Sequence, residues 1–417
     1  MHIRPILASL RAHRTPAILI VLEIALACAV MCNAVFMIGQ SVSDIYLPNA
    51  IDESGITVIS LNGSDPTLGA SDIPRDLEAL RNIPGVTAVG TSSAVPLNSQ
   101  GLGAAFGTNP DTRSEDTNAI TIEYYLLGES GDKALGLRLL QGRFFNAGEY
   151  SNSTLGGELL PTTHVAIIAV SLANRLWPGQ NPLGKVMYSK PLWYTVVGVV
   201  ADVLCPDDGA RVKGDRGFYY SVFFPISPGS ALGYLGPGNA LNYYVLRTAP
   251  KDRRRVMREA VQKLSDLNPA ALAKGQSFTD IRNQYFTDTS NMVWMLVLVC
   301  AVMLAVTAFG IVGLTSFWVQ QRRRQIGIRR ALGATRGHIL GYFQTENFLL
   351  STAGVVIGMV MAFGINLFLM RHYEMSLMPW YYLPASAITL WVIGQVAVLG
   401  PALRAAAVPP VVATRSV

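Results

Sequence analysis

The chain has 417 residues, half of them hydrophobic and only 14% charged, against about 25% charged in a typical soluble protein. The deficit is concentrated: residues 289–321, 347–370 and 375–403 hold no Asp, Glu, Lys or Arg, and Thr15 to Ser43 hold one charge, Glu23. About 20 apolar residues cross a bilayer as a helix, so a soluble monomer is excluded and four membrane spans are expected.

The net charge of +6 is unevenly placed. Residues 322–338 carry Arg322, Arg323, Arg324, Arg329, Arg330 and Arg336 with no acid, and the segment before the first span adds Arg4, Arg11 and Arg14. Short basic loops stay in the cytoplasm, whereas large domains translocate largely regardless of charge. Taken in chain order, the expected organisation is a cytoplasmic N-terminus (1–14) and a first span (15–40). A large extracytoplasmic domain (41–290) and a second span with a stalk (291–321) follow. Next come a cytoplasmic loop (322–338), a third span (339–370), an outer loop (371–383), a fourth span (384–403) and a cytoplasmic tail (404–417). The basic excess sits beside spans, so nucleic acid is not an expected partner.

The first span is too long for a signal core, and Met37-Ile-Gly-Gln40 lacks a small-x-small cleavage site, so it is expected to remain as an anchor. The large domain reads as a two-lobed α+β fold. Its first end offers a strand at Ile56–Leu61, a helix at Asp76–Arg81 and a strand at Val86–Val89. Its last end repeats the pattern with a strand at Leu241–Leu246 and a helix at Arg253–Leu267, where Val256, Ala260 and Leu264 recur at i, i+4, i+8. These ends are expected to pair, leaving Leu135–Phe145, the helical Val170–Leu176 and the strand Tyr194–Val200 as an inserted lobe. The second span, at 1.5 Å per residue, is about 50 Å long against a hydrocarbon core of about 30 Å. It is expected to protrude as a stalk, with Trp294 and Trp318 near its ends and Trp380, Tyr381 and Tyr382 opening the fourth span.

Enzyme signatures are weak. Gly179-Gln-Asn-Pro-Leu-Gly184-Lys185 has the spacing of a phosphate-binding loop, but Val186 replaces the magnesium-holding hydroxyl and Pro182 removes a backbone donor, so a plain turn is expected. The five histidines are too scattered for a zinc pair, and Gly128-Glu-Ser-Gly-Asp132 misses the last glycine of a nucleophile elbow. No catalytic residue, metal site or bound cofactor is expected. Cys205 is alone in the large domain, which excludes an internal disulfide there.

Glu23 lies about 10 Å inside the first span, so it must face protein or water. A helix–helix lock, a proton site and a neutral hydrogen-bonded carboxyl are all open readings. Gly354, Gly358 and Ala362 set small residues on one face of the third span, permitting close helix packing within or between subunits.

The arginine loop carries the strongest signal: Arg324, Gln325, Ile326, Gly327, Ile328, Arg329, Arg330, Ala331, Leu332, Gly333. Ile328 and Leu332 form an apolar edge flanked by arginines, and Gly333 is placed to cap the helix. Periodicity leaves two uses open, lying on lipid or docking in a groove of a cytoplasmic partner.

Here the sequence resembles a family. Arg324-Gln-Ile-Gly-Ile-Arg-Arg-Ala-Leu-Gly-Ala334, with Glu346 opening the next span, is similar to the signature of FtsX-like ABC-transporter permeases, and Pro401–Pro410 resembles their usual ending. Leu137–Phe145, Ala173–Met187 and Tyr194–Val203 resemble the periplasmic core of MacB-type permeases. The resemblance implies a stand-alone permease subunit of the bacterial inner membrane, without a fused ATPase domain and with both termini cytoplasmic. Its partners would be cytoplasmic ATPase subunits, which hold ATP and magnesium, and a second permease in a homo- or heterodimer. A periplasmic adaptor and an outer-membrane channel are further candidate partners. The helix at Gln325–Leu332 would sit in the ATPase groove, with Arg329 and Arg330 meeting acidic groups at its rim. Polar side chains in the spans are few, which favours mechanotransmission over a pore and efflux of a drug, peptide or other small product. A lipoprotein-extracting permease and a complex that signals or activates a hydrolase are the alternatives. The family's usual glutamate is replaced by Gln325, which implies a weakened or relocated charge contact.

Overall fold

A computed structural model describes residues 14–62, 72–98, 102–112, 119–156, 159–206, 217–227, 243–373 and 377–407. The basic N-terminal residues before Arg14, the end of the tail and the start of the strand expected at Leu241 lie outside them. Two compact units emerge: residues 48–287 in one, and residues 1–47 with 288–417 in the other.

The first unit is built on one sheet. Its strands are β1 (Ile56–Asn62), β2 (Val86–Ser92), β3 (Leu102–Phe106), β4 (Ile120–Leu127), β5 (Leu139–Gly142) and β6 (Val165–Ala169). They continue as β7 (Val186–Ser189), β8 (Leu192–Val200), β9 (Val222–Pro225), β10 (Tyr243–Thr248) and β11 (Leu272–Ser277). The order is β11-β1-β10-β2-β4-β9-β6-β8-β5, with β3 on β4 and β7 on β8. The expected pairing of the two chain ends is present, since β10 lies between β1 and β2 and runs antiparallel to both. The two lobes share this continuous sheet and meet at a narrow seam, where β2 and β4 pair only at Ser92 and Leu127. Parallel pairs occur in the inserted lobe, β4 with β9 and β6 with β8. Val165–Ala169 is a run of apolar residues in β6, as a strand covered on both faces requires.

One lobe covers its sheet with α1's successors in sequence. With α1 given to Arg14–Ile45, these are α2 (Asp72–Arg81) and, after α3 (Gly131–Leu135), α4 (Ala147–Ser151) and α5 (Val170–Leu176), the long α6 (Arg253–Leu267). Ile73, Leu77 and Leu80 of α2 and Val256, Ala260 and Leu264 of α6 point into one core with Ile59 and Leu246. The α2 helix begins four residues earlier than Asp76 because Pro74 falls in its first turn, where a missing N–H costs nothing. Asp76 is 1% exposed in this core. Its carboxylate accepts from Tyr244 Oη at 2.8 Å, Asn268 Nδ2 at 3.0 Å and Arg75 at 3.0 Å. Asp76→Ala takes the acceptor from two buried donors, Tyr244 and Asn268, at about 1–3 kcal/mol each, and Tyr244→Phe is expected to lose about 1.5–3 kcal/mol. Urea unfolding of the purified chain followed by circular dichroism checks both, and equal losses for the two would contradict the network's hierarchy.

The remaining helices are α7 (Phe278–Tyr285), α8 (Thr287–Gln321), α9 (Arg323–Ala331), α10 (Arg336–Tyr373) and α11 (Tyr382–Ala406). Among the described helices four, α1, α8, α10 and α11, are long and apolar enough to cross a membrane. They run past the expected span limits at nearly every end, α1 to Ile45 and α8 from Thr287, because helical hydrogen bonding continues into polar flanks that hydropathy does not mark. In the second unit α1, α10 and α11 pack on one another. Small residues set how close α1 and α10 come: a methyl added at Gly358 would lie 2.5 Å from Cys28 Cβ and 2.6 Å from the Ala25 carbonyl oxygen. One added at Gly354 would meet Ile24 Cβ at 2.8 Å. Backbone cannot yield as a side chain can, so Gly358→Leu is expected to part the two helices. Its measurable result is a lowered melting temperature of the detergent-solubilised chain, while Gly313→Leu, in open space on α8, leaves it unchanged.

Candidate functional site

The arginine loop folds as expected into a helix, α9. Arg322 is the single residue between α8 and α9, yet its N–H bonds the Trp318 carbonyl and its own carbonyl accepts from Ile326. The junction therefore turns the chain without releasing it. At the other end Gly333 takes φ +97°, and the Ala334 N–H reaches back to the Arg329 carbonyl at 3.0 Å. That six-to-one bond with a left-handed glycine is a Schellman closure, which a side chain at Gly333 would strain.

The helix is two-sided. Ile326 and Gly327 are buried, with Ile326 joining a core that includes Ile339 and Phe343 of α10. On the other side Ile328 is 46% and Leu332 83% exposed, accompanied by exposed Arg323, Arg324, Gln325 and Ala331. Two apolar side chains thus face solvent from a helix whose other exposed positions are mostly basic. Arg329 turns back instead, its guanidinium 5.4 Å from the centre of the Tyr342 ring. The side chain of Arg330 lies outside the described structure.

The device that fixes the junction is an ion pair the loop sequence does not announce. Arg322 donates through Nη1 to both carboxylate oxygens of Glu346, at 3.3 and 3.4 Å. The two side chains are only 11% and 2% exposed. The guanidinium also stands 5.7 Å from the Trp318 ring. The available signal was that Glu346 is the one acid near an otherwise charge-free run, and a carboxylate at such depth needs a cation. Beside this pair, between α9 and the first two turns of α10, lies a cavity of about 360 Å³.

The other singled-out residues sit elsewhere in the helical unit. Gly354, Gly358 and Ala362 lie on the face of α10 that meets α1, where the Ala362 carbonyl accepts from Asn33 Nδ2 at 3.3 Å. Glu23 points its carboxylate at Gly310 of α8, whose missing side chain leaves room for it. These residues lie at contacts between helices and are not part of the α9 surface. The Gly179–Lys185 segment forms a turn in which both glycines have positive φ and Lys185 Nζ is engaged by Gln180 and the Trp177 ring. Among the described residues no group of His, Cys, Asp or Glu is placed to hold a metal ion.

The chain matches two family models and several known proteins. Residues 17–264 match the model of the MacB-like periplasmic core domain, and residues 297–410 that of the FtsX-like permease C-terminal region. The chain is 29% identical over 294 residues to the macrolide export ATP-binding/permease protein MacB of Marinobacter nauticus, covering 69% of this chain and 40% of that one. It is 24% identical over 426 residues to the ABC transporter permease YknZ of Bacillus subtilis, covering 99% and 98%. The crystal structure of the periplasmic region of MacB from Actinobacillus actinomycetemcomitans aligns with 56% of this chain and 92% of that one, at 16% identity and a TM-score of 0.37. The chain spans about two fifths of the length of the MacB relatives it matches.

Proposed function

We propose that this chain, which belongs to the family of ABC-transporter permeases with a MacB-like periplasmic core domain and an FtsX-like C-terminal half, works as a non-catalytic subunit. In this reading ATP and magnesium are held by a separate cytoplasmic ATPase, and α9 is the element that docks into it. The observation that carries the reading is the outward placement of Ile328 and Leu332 on a helix pinned by the Arg322–Glu346 pair and the Gly333 cap. An apolar pair on a rigid, basic helix suits a groove with an acidic rim, the helix-in-groove mode of recognition.

Motion of α9 would pass through the Arg322 junction into α8. That helix is unbroken from Thr287, where the large domain ends, to Gln321. At 35 residues it is about 50 Å long. ATP-driven movement would thereby reach the extracytoplasmic domain, and the subunit would act by mechanotransmission in the efflux of a drug, peptide or other small product. Two ATPase subunits closing on each other require two such helices, hence a dimer of permeases. Support for it comes from α8, whose buried residues are confined to Thr307, Ile311, Thr315 and Trp318 while Leu298, Val302, Val306 and Phe309 remain uncovered. The proposed location is the bacterial inner membrane with both termini in the cytoplasm. Purification with the neighbouring ATPase tests the whole: hydrolysis is expected only when the ATPase is present. ATP turnover by the permease alone would overturn the non-catalytic assignment.

A further inference from the structure

The cavity beside α9 lies away from Ile328 and Leu332, the apolar pair assigned to docking, although Gln325 and Arg329 of the same helix line it. Its walls are amphipathic. Ile326, Ile339 and Phe343 form the apolar part, and Arg322, Gln325, Arg329 and His338 the polar part. Since Arg322 is neutralised by Glu346, the cavity keeps the charge of Arg329, whose guanidinium contact is the Tyr342 ring and not a carboxylate. A cationic group beside an apolar wall, in a volume of about 360 Å³, falls within the range of small-ligand sites, about 300–1,000 Å³.

Its level along the chain narrows the ligand. The charge-free run of α8 ends at Gln321, and that of α10 starts at Asn347, so the lining residues 322–343 stand where two spans leave the membrane. Beyond the cavity α10 goes on to expose Phe348, Val356 and Val360. Basic pockets between transmembrane helices at this level suit anionic lipid headgroups. We infer that the cavity holds the phosphate of an anionic phospholipid headgroup, bonded by Arg329 and His338, with acyl chains running along α10. A lipid so placed wedges α9 against α10 and makes the stance of α9 dependent on lipid composition. The inference rests on membrane insertion and not on ATPase docking, so the two readings fail separately.

The test uses the permease without ATPase, in phosphatidylcholine nanodiscs containing a minor fraction of phosphatidylglycerol, with retained lipid counted by native mass spectrometry. The wild type is expected to keep one phosphatidylglycerol per chain in preference to phosphatidylcholine. Arg329→Ala with His338→Ala is expected to lower that retention about fivefold or more, the scale of one arginine facing an anionic lipid. Arg323→Ala with Arg336→Ala removes two exposed arginines that do not line the cavity and is expected to change nothing. All substituted residues are exposed, and Arg329→Lys, which keeps the charge, is expected to recover most of the retention. Equal loss in the Arg323/Arg336 pair would reduce the effect to general surface charge and overturn the site. Displacement of the lipid by inorganic phosphate would reassign the cavity to a free anion. Displacement by a polyglutamate peptide would reassign it to a protein carboxylate, and either result overturns the lipid proposal.

Discussion

Ile328→Asp combined with Leu332→Asp is expected to abolish co-purification of the ATPase and all transport-linked hydrolysis, while membrane insertion and the large domain stay intact. Both side chains already face solvent, at 46% and 83% exposure, so charge at these positions disturbs no packing within the chain. On docking, each apolar side chain would contribute about 1.5–3 kcal/mol by burial. Losing both weakens association on the order of a hundredfold or more, before the cost of pressing two carboxylates into the groove is counted. Ile326→Asp makes the contrast. Ile326 is buried against Ile339 and Phe343, so that variant is expected to destabilise the permease itself and to show a lowered melting temperature. Pull-down and ATPase assays on the double variant, beside melting curves for both, separate docking from folding. Undiminished recovery of the ATPase with the double variant at normal expression would remove α9 from the interface.

Much of this architecture was legible because its causes are local. The spans follow from runs without charge, α6 from Val256, Ala260 and Leu264 at helical spacing, and the α9 terminus from a glycine placed to adopt positive φ. The pairing of the two ends of the large domain could also be read, since both ends offer a strand followed by an amphipathic helix. What could not be read depends on distant partners. The single continuous sheet requires β4 and β9 to meet across about a hundred residues of sequence, and no periodicity encodes that register. Likewise Arg322 appears in sequence as one of several loop arginines, indistinguishable from Arg323. Only the fold brings it to Glu346, because α10 packs its second and third turns against the α8–α9 junction. The same holds for Glu23, whose depth is evident from the chain but whose neighbour Gly310 is not.

Breaking the Arg322–Glu346 pair is expected to have the largest effect on the helical unit, with a sign that depends on how it is broken. Arg322→Ala takes from Glu346, 2% exposed, the guanidinium that pairs with it, and removing one member of a buried pair costs up to about 3–5 kcal/mol. Glu346→Ala strands the guanidinium instead. The Trp318 ring at 5.7 Å compensates in part, since a cation over an indole recovers about 0.5–2 kcal/mol, so this variant is expected to be the milder. Replacing both, Arg322→Met with Glu346→Leu, removes the two desolvation costs together and is expected to restore stability to within about 1 kcal/mol or better. Function separates the readings that stability cannot. If the pair only holds the fold, the double replacement regains both the melting temperature and ATPase-coupled transport. If, as proposed, it is the rigid joint that carries motion from α9 into α8, the double variant regains its melting temperature and its binding to the ATPase. It then hydrolyses ATP with transport reduced, because an apolar contact fixes distance without fixing orientation. A double variant that transports as well as the wild type would show that the joint needs packing alone.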